Sequence, residues 1–246
     1  MRNLFTKSAI ALAVLGMATA ANAKGYNEVE VTDGGNFVGT VSAGGAEPDV
    51  RTYTISKDPE ICGAGSREVP FVQVNEAGML INAVVFLADI EEGKAMPEDL
   101  MKLTINQTKC EFSPALGFMA NTGELTAINN DGTLHNIHAY EQIGKARKTV
   151  LNVSQPNKGD VLTKDIKLRR GNGMKVECDA HDFMHSFVYV AKTPYFSVVD
   201  ETGAFSITDI PAGEYKVMMW HGFLGEKKVG SVTVDAGGEV TMELSY

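Results

Sequence analysis

The stretch CDAHDFMH, residues 178–185, places a thiol, two imidazoles and a thioether within eight positions. Cys178, His181 and Met184 follow the spacing C-x2-H-x2-M, directly after the strand-like MKVE and before the strand-like SFVYV. A loop between two strands can turn three such side chains toward one point. Thiolate, imidazole and thioether groups suit copper, Cu(I) above all, better than magnesium or calcium. The spacing therefore predicts a copper-binding loop.

A second imidazole would complete a trigonal site of two His and one Cys with a weak axial Met. The stretch TLHNIHAY (133–140) offers His135 and His138. Residues of opposite parity on a strand point to opposite faces, so the two cannot easily bind one ion. We predict His135, at the loop-to-strand junction after NNDGT, as the ligand. His138 is expected to be a polar or half-buried strand residue. His185 is expected to lie at the surface or to support a ligand without binding the metal, and His221 to have a structural role.

Two other interpretations of this loop stay open. Zinc also accepts Cys and His, although it does not favour a thioether. Alternatively, Cys178 could be a buried free thiol and Met184 an ordinary core residue, with no metal bound.

The chain has three cysteines, Cys62, Cys110 and Cys178. In an oxidising compartment two of them can pair and the third is left over. Cys178 lies among His and Met residues, whereas the other two have no His nearby in the sequence. The economical arrangement is a Cys62–Cys110 disulfide, which leaves Cys178 as a thiolate ligand.

Residues 1–23 have the pattern of a secretory signal peptide: Arg2 and Lys7, a short apolar run, and Ala21-Asn22-Ala23 before a cut at Lys24. We predict an exported, periplasmic protein; a retained N-terminal anchor is the alternative. No second apolar run approaches membrane length, so no membrane span is expected. The formal net charge of -9 argues against nucleic acid and anionic membrane surfaces.

The remaining sequence predicts an all-β protein. Segments rich in Val, Ile, Thr, Phe and Tyr alternate with Gly, Asn and Asp clusters, and the run EEGKAMPEDLMK is the one expected short helix. The last fifty residues contain short alternating strands typical of a small β-sandwich. We place boundaries that give a β-rich extension (24–77), a central domain (78–193) and a C-terminal module (194–246). The strand-like segments are VRTYTIS, MLINAVVFL, MKLTIN, ELTAIN, KTVLNV, VLTKDIKL, MKVEC and SFVYVA.

The central domain resembles the cupredoxins, and among them the amicyanin type. LHNIHAY, followed by CDAHDFM, matches the family's first-ligand strand and its ligand loop, and KCEFSPALGFMANTGELTAINNDGTLHN is similar to the sequence leading to the first ligand. Leu134 stands where a Pro is usual, Asp182 replaces a Pro in the loop, and Ala127 stands at a position often held by Trp. The resemblance implies a Greek-key β-sandwich with one type 1 copper ion. Its implied ligands are His135, Cys178, His181 and Met184.

The C-terminal module resembles carboxypeptidase regulatory-like, transthyretin-like modules. The shared elements are D-x-x-G-x-F-x-I and P-x-G-x-Y-x-V, which run from Asp200 to Val217. The resemblance implies a β-sandwich with an accessory role.

Together these features predict a non-catalytic one-electron carrier whose redox partner is a protein such as a c-type cytochrome or a dehydrogenase. His181 is expected to present its edge near the surface as the electron port. A copper-trafficking or storage protein and a metal-free binding scaffold are the alternatives. An enzyme is not expected, because the sequence has no G-x-S-x-G motif, no paired catalytic carboxylates of defined spacing and no further His-rich motif.

Overall fold

The computed structural model describes residues 25–246, and the predicted signal peptide lies outside these described residues. The β-branched and aromatic segments form strands, since such side chains fit a pleated, half-buried surface. The all-β prediction is confirmed. In chain order the elements are β1 (Asn27–Glu28), β2 (Gly35–Ser42), β3 (Asp49–Ile55), α1 (Pro59–Cys62), β4 (Gly65–Val72), β5 (Val84–Ala88), β6 (Glu92–Gly93), a 3-10 helix (Glu98–Met101), β7 (Lys102–Gln107), β8 (Phe112–Ser113), β9 (Leu116–Ala120), β10 (Glu124–Asn129), β11 (His135–Ile143), β12 (Ala146–Gln155), β13 (Val161–Asp165), β14 (Gly173–Cys178), β15 (His181–Ala191), β16 (Phe196–Val198), β17 (Ala204–Ile210), β18 (Gly213–His221), β19 (Gly225–Val234) and β20 (Glu239–Ser245).

The first sandwich packs the sheet β13-β10-β7-β8 against the sheet β12-β11-β14-β15-β9. Burial alternates along β10, which shows that one face of this strand lies in the core and the other does not. The core between the sheets contains fully buried Ile105, Leu125, Ile137, Val176 and Val188. This sandwich carries all four predicted metal ligands.

The second sandwich contains the sheets β16-β5-β18-β19 and β17-β2-β20. Its core includes Phe37, Leu80, Tyr195, Val217 and Met219, each fully buried. A third buried cluster, which includes Phe86, Tyr189 and Trp220, joins β5, β15 and β18 and so connects the two sandwiches. No helix in residues 25–246 combines the length and the apolar character needed to cross a membrane.

The strand pairing divides the chain differently from the predicted boundaries 24–77, 78–193 and 194–246. Strand β2 pairs with β17 and β20, and β5 pairs with β16 and β18. The block 194–246 is therefore completed by strands from both earlier segments. Each strand's apolar side chains indicate that it packs on a core, but its sequence does not say which strand lies beside it. Strands from the three predicted segments therefore share sheets, and the boundaries themselves stay a prediction.

The segment 49–72 belongs to neither sandwich by strand pairing. Strands β3 and β4 form their own two-stranded antiparallel sheet, with α1 in the connection between them. We call residues 49–72 the covering segment, because its α1 end lies over the ligand end of the first sandwich.

Candidate metal centre

The ligand loop is a tight hairpin between β14 and β15. Cys178 pairs with His181 across a two-residue connection, Asp179-Ala180. The register shifts between Glu177 and Cys178, so residues 182–184 form a bulge in β15. The bulge breaks the alternation of the strand and allows the consecutive residues Phe183 and Met184 both to be buried.

Three predicted ligands converge at this end of the sandwich. His135, the first residue of β11, has its Nδ1 3.2 Å from the Nδ1 of His181. The Sγ of Cys178 lies 3.9 Å from the first nitrogen and 3.7 Å from the second. All three residues are buried.

This triangle of donor atoms has the size that a metal ion requires. A point in its plane about 2.0 Å from both nitrogens lies about 2.2 Å from the sulfur, close to the metal–imidazole and metal–thiolate bond lengths of zinc sites. The donor set of two imidazoles and one thiol suits either copper or zinc. The residues present therefore fit a bound metal.

A carboxylate holds the far nitrogen of each histidine. The Nε2 of His135 lies 2.9 Å from Asp131 Oδ2, and the Nε2 of His181 lies 3.0 Å from Asp58 Oδ2. The pKa of Asp58 is lowered by the hydrogen bond from Thr133 and, despite burial, by His181. Burial alone would raise the pKa of Asp131, but hydrogen bonds from backbone amides and from His135 bring it below the usual value.

Ionised carboxylates only accept hydrogen bonds, so each Nε2 carries the proton and donates it. The neutral form of each ring then has a lone pair on Nδ1, and the two lone pairs face each other across 3.2 Å. Burial lowers the pKa of His181, which disfavours a second proton there. Burial also raises the pKa of the Cys178 thiol, more than nearby backbone hydrogen bonds lower it. A metal cation between the rings would remove the repulsion between the two Nδ1 lone pairs, and it would hold the sulfur of Cys178 as a thiolate.

Met184 is almost fully buried in the same core cluster as Cys178 and Phe183. Membership of this cluster does not by itself place its thioether within reach of the three donor atoms, so its role as weak fourth ligand stays a prediction.

Asn136 fixes the ligand loop to the strand that carries His135. Its side-chain oxygen accepts the backbone N–H of Asp179 at 2.6 Å, and its amide nitrogen donates to the Asp179 carboxylate at 2.9 Å. These bonds tie together two parts of the chain 43 residues apart. They hold the distance between Cys178 and His135.

Cys62 and Cys110 form a disulfide beside the centre. Its sulfur atoms lie within 4.8 Å of a ring nitrogen of His181. The remaining thiol, Cys178, is free and buried, as the cysteine count indicated.

The three other histidines lie outside the triangle. His138 is half-buried and bonds Asp179 through Nδ1 at 3.0 Å, as expected of a polar strand residue. His185 is covered by Tyr53 and Phe71 rather than exposed. His221 accepts the backbone N–H groups of Phe223 and Leu224 through its Nδ1, a structural role.

The prediction that His181 presents its edge at the surface was wrong. Its side chain is 0% exposed, because Asp58 and the rest of the α1 end of the covering segment lie on its Nε2 side. Neither Asp58 nor Asp131 was predicted as a site residue. The spacing D-x3-H of Asp131 and His135 was a local signal, whereas Asp58 lies 123 residues from His181 and gave none.

His221 predicts an acid-sensitive fold. Burial lowers its pKa to about 4, so the folded state keeps it neutral while the unfolded chain binds a proton near pH 6.5. The stabilisation is complete above pH 6.5 and is lost as the pH falls toward about 4, which amounts to about 3 kcal/mol. We expect His221→Asn, which keeps an acceptor for the two amides, to lose less stability than the wild type between pH 7 and pH 4 in urea unfolding. Equal losses in the two proteins would contradict this.

Known families and structures resemble only parts of this chain. The family model described as polysaccharide lyase family 4, domain II, matches residues 179–242, while the likeness of 194–246 to carboxypeptidase regulatory-like modules stays a prediction. The chain matches no curated protein sequence.

Parts of three solved structures resemble part of this chain. A purple cupredoxin from Nitrosopumilus maritimus is 19% identical over 36% of this chain and 98% of its own, with a TM-score of 0.31. Amicyanin from Paracoccus versutus is 14% identical over 39% of this chain and 85% of its own, with a TM-score of 0.31. A copper-containing nitrite reductase from Thermus scotoductus is 12% identical over 40% of this chain and 23% of its own, with a TM-score of 0.30.

Proposed function

We propose that this protein is an exported, non-catalytic one-electron carrier that holds one copper ion at His135, Cys178 and His181, with Met184 as a weak fourth ligand. The observation that carries the proposal is the buried triangle of two imidazole nitrogens and one thiol sulfur, whose edges are 3.2, 3.7 and 3.9 Å. Each imidazole is fixed from behind by a carboxylate, so that both lone pairs point to the same place.

The donor set favours copper over zinc. Two imidazoles, a thiolate and a weakly bound thioether would form a compromise between the preferences of Cu(I) and Cu(II), whereas zinc does not favour a thioether. A bound copper ion supplies one reversible electron. His135 and Cys178 end or begin strands of one sheet, and Asn136 and the two carboxylates fix the loops. Such a rigid frame keeps the donors in place in both oxidation states.

Electron exchange with a redox partner cannot use an exposed edge of His181, since Asp58 covers it. We propose that a periplasmic c-type cytochrome or a dehydrogenase approaches the first sandwich by another surface. The distance that the electron travels between the copper and the partner's cofactor is then longer than it would be through an exposed histidine ring.

Addition of Cu(II) to the purified protein tests the proposal. We expect one copper per chain, an intense visible absorption from the thiolate–copper bond, an EPR signal with narrow copper hyperfine splitting, and reversible loss of both on one-electron reduction. A protein that binds no copper, or binds it without the thiolate absorption, would contradict the carrier function.

The burial of the centre also distinguishes an electron carrier from a copper-trafficking protein. A trafficking protein must release its metal to a partner, whereas here all three donor residues are buried and Asp58 of the covering segment lies against His181. We expect the copper-loaded protein, coloured blue by its thiolate–copper absorption, to keep its copper in the presence of a moderate excess of chelator. Rapid and complete loss to the chelator would favour trafficking instead.

The same residues could suggest a thiol enzyme, since Cys178, His181 and Asp58 lie in the order of a nucleophile, a base and a carboxylate. The Sγ–Nδ1 distance is 3.7 Å and the Nε2–Oδ2 distance is 3.0 Å. A nucleophilic cysteine needs a lowered pKa and access for its substrate. Burial instead raises the pKa of Cys178 and covers its sulfur, so this geometry supports metal binding better.

A further inference from the structure

The covering segment contributes one carboxylate to the metal centre, that of Asp58. This residue immediately precedes α1 and has the left-handed backbone conformation φ 49, ψ 45. One oxygen, Oδ2, accepts hydrogen bonds from His181 Nε2 at 3.0 Å and from the Thr133 hydroxyl at 2.7 Å. Asp58 therefore bridges the ligand loop and the loop that precedes His135.

Several bonds hold α1 in this position. The guanidinium of Arg67 donates to the Cys110 carbonyl at 2.6 Å and to the Cys62 carbonyl at 2.7 Å. The disulfide joins the same two residues covalently. Arg67 also stacks 4.9 Å over the ring of Phe183, inside the ligand hairpin. The position of Asp58 is thus fixed by the fold rather than by its contact with His181 alone.

A metal-bound histidine commonly donates its other ring N–H to a carboxylate, which sets the tautomer and the orientation of the ring. Asp131 does this for His135 from four residues away in the same loop. His181 has no such partner in its own hairpin, and the carboxylate comes from a segment 123 residues earlier. Both histidines therefore donate to a carboxylate, but the carboxylate of His135 is local in the sequence and that of His181 comes from the distant covering segment.

We propose that Asp58 is a positioning residue of the metal centre, which holds His181 in the tautomer and orientation that present Nδ1 to the metal, and that the covering segment is therefore a functional part of the site. The inference rests on the metal site assigned under the proposed function. It gives a role to residues 49–72, which the ligand spacing does not explain.

Substitutions at Asp58 separate this role from a merely structural one. Asp58→Gly removes the carboxylate and tolerates the left-handed backbone. Asp58→Asn keeps a neutral acceptor and a residue type that accepts this backbone conformation. Glu60→Gln is the matched control, because Glu60 is exposed on α1 and its substitution also removes one negative charge.

The first readout needs no metal: the 15N shifts of the histidine rings in the apoprotein at neutral pH. In the wild type and in Glu60→Gln we expect His135 and His181 both to carry the proton on Nε2. In Asp58→Gly we expect His181 to lose this preference while His135 keeps it, and in Asp58→Asn an intermediate state. A wild-type His181 protonated on Nδ1, or no change in Asp58→Gly, overturns the proposal.

The second readout is the dissociation constant for Cu(II) alone, measured in competition with a chelator. We expect Asp58→Gly to raise it about 10- to 100-fold and Asp58→Asn to raise it less, as for other outer partners of metal ligands. Affinity within twofold of the wild type in Asp58→Gly overturns the proposal. If Asp58→Gly does not fold, Asp58→Asn alone decides by the same two readouts. A wild type that binds copper without becoming blue contradicts the proposed function, while the ring tautomers still test Asp58.

Discussion

Replacement of Cys178 by serine is expected to abolish the visible thiolate–copper absorption completely and to weaken Cu(II) binding more than any other single change. The serine hydroxyl does not ionise near neutral pH, so the triangle loses its only soft anionic donor. Loss of a side chain that only hydrogen-bonds to a metal ligand typically lowers the affinity about 10- to 100-fold, and we expect the loss in Cys178→Ser to be larger. Visible spectra and a chelator competition at one copper per chain measure both effects.

His138→Gln is the matched control for this experiment. His138 lies on the same strand as His135, three positions later, but its Nδ1 contacts Asp179 rather than the triangle. We expect this variant to keep the absorption. An absorption that survives in Cys178→Ser, or disappears in His138→Gln, would show that the ligands are not those proposed.

Removal of the disulfide is expected to have the largest effect on stability. The bond closes a loop with a sequence separation of 48, and loop-closure entropy for this length gives about 4 kcal/mol. Alanine at both Cys62 and Cys110 is the suitable change, because both sites are buried and serine would leave buried hydroxyl groups. Urea unfolding of the apoprotein measures the difference.

The matched comparison is the wild type unfolded with and without a reducing agent. We expect the reduced wild type to approach the double-alanine variant in free energy of unfolding. A double-alanine variant within about 1 kcal/mol of the oxidised wild type would mean that the covering segment is held by Arg67 and packing rather than by the bond.

The centre could be predicted from sequence wherever its residues are local. The hairpin spacing gave Cys178 and His181 together, and the strand parity separated His135 from His138. The excess of one cysteine pointed to the Cys62–Cys110 pair. These inferences need only the spacing within one loop, the parity of residues along one strand and a count of the cysteines.

The remaining features depend on contacts between distant segments. Asp58 lies in a stretch with no periodic pattern, so nothing there indicated that its carboxylate covers His181. This contact is why the expected surface position of His181 was wrong. Likewise β2 alternates along most of its length and β5 is a short, continuously apolar run. Either pattern fits many sheets, and the pairing of these strands with β17, β18 and β20 follows from the tertiary fold.

X-ray absorption at the copper edge of the loaded wild type tests the central claim most directly. The proposed centre predicts two nitrogen scatterers at about 2.0 Å and one sulfur scatterer at about 2.2 Å, in keeping with metal–imidazole and metal–thiolate bonds. A first shell made only of nitrogen and oxygen atoms would contradict it, because Cys178 would then not bind the metal.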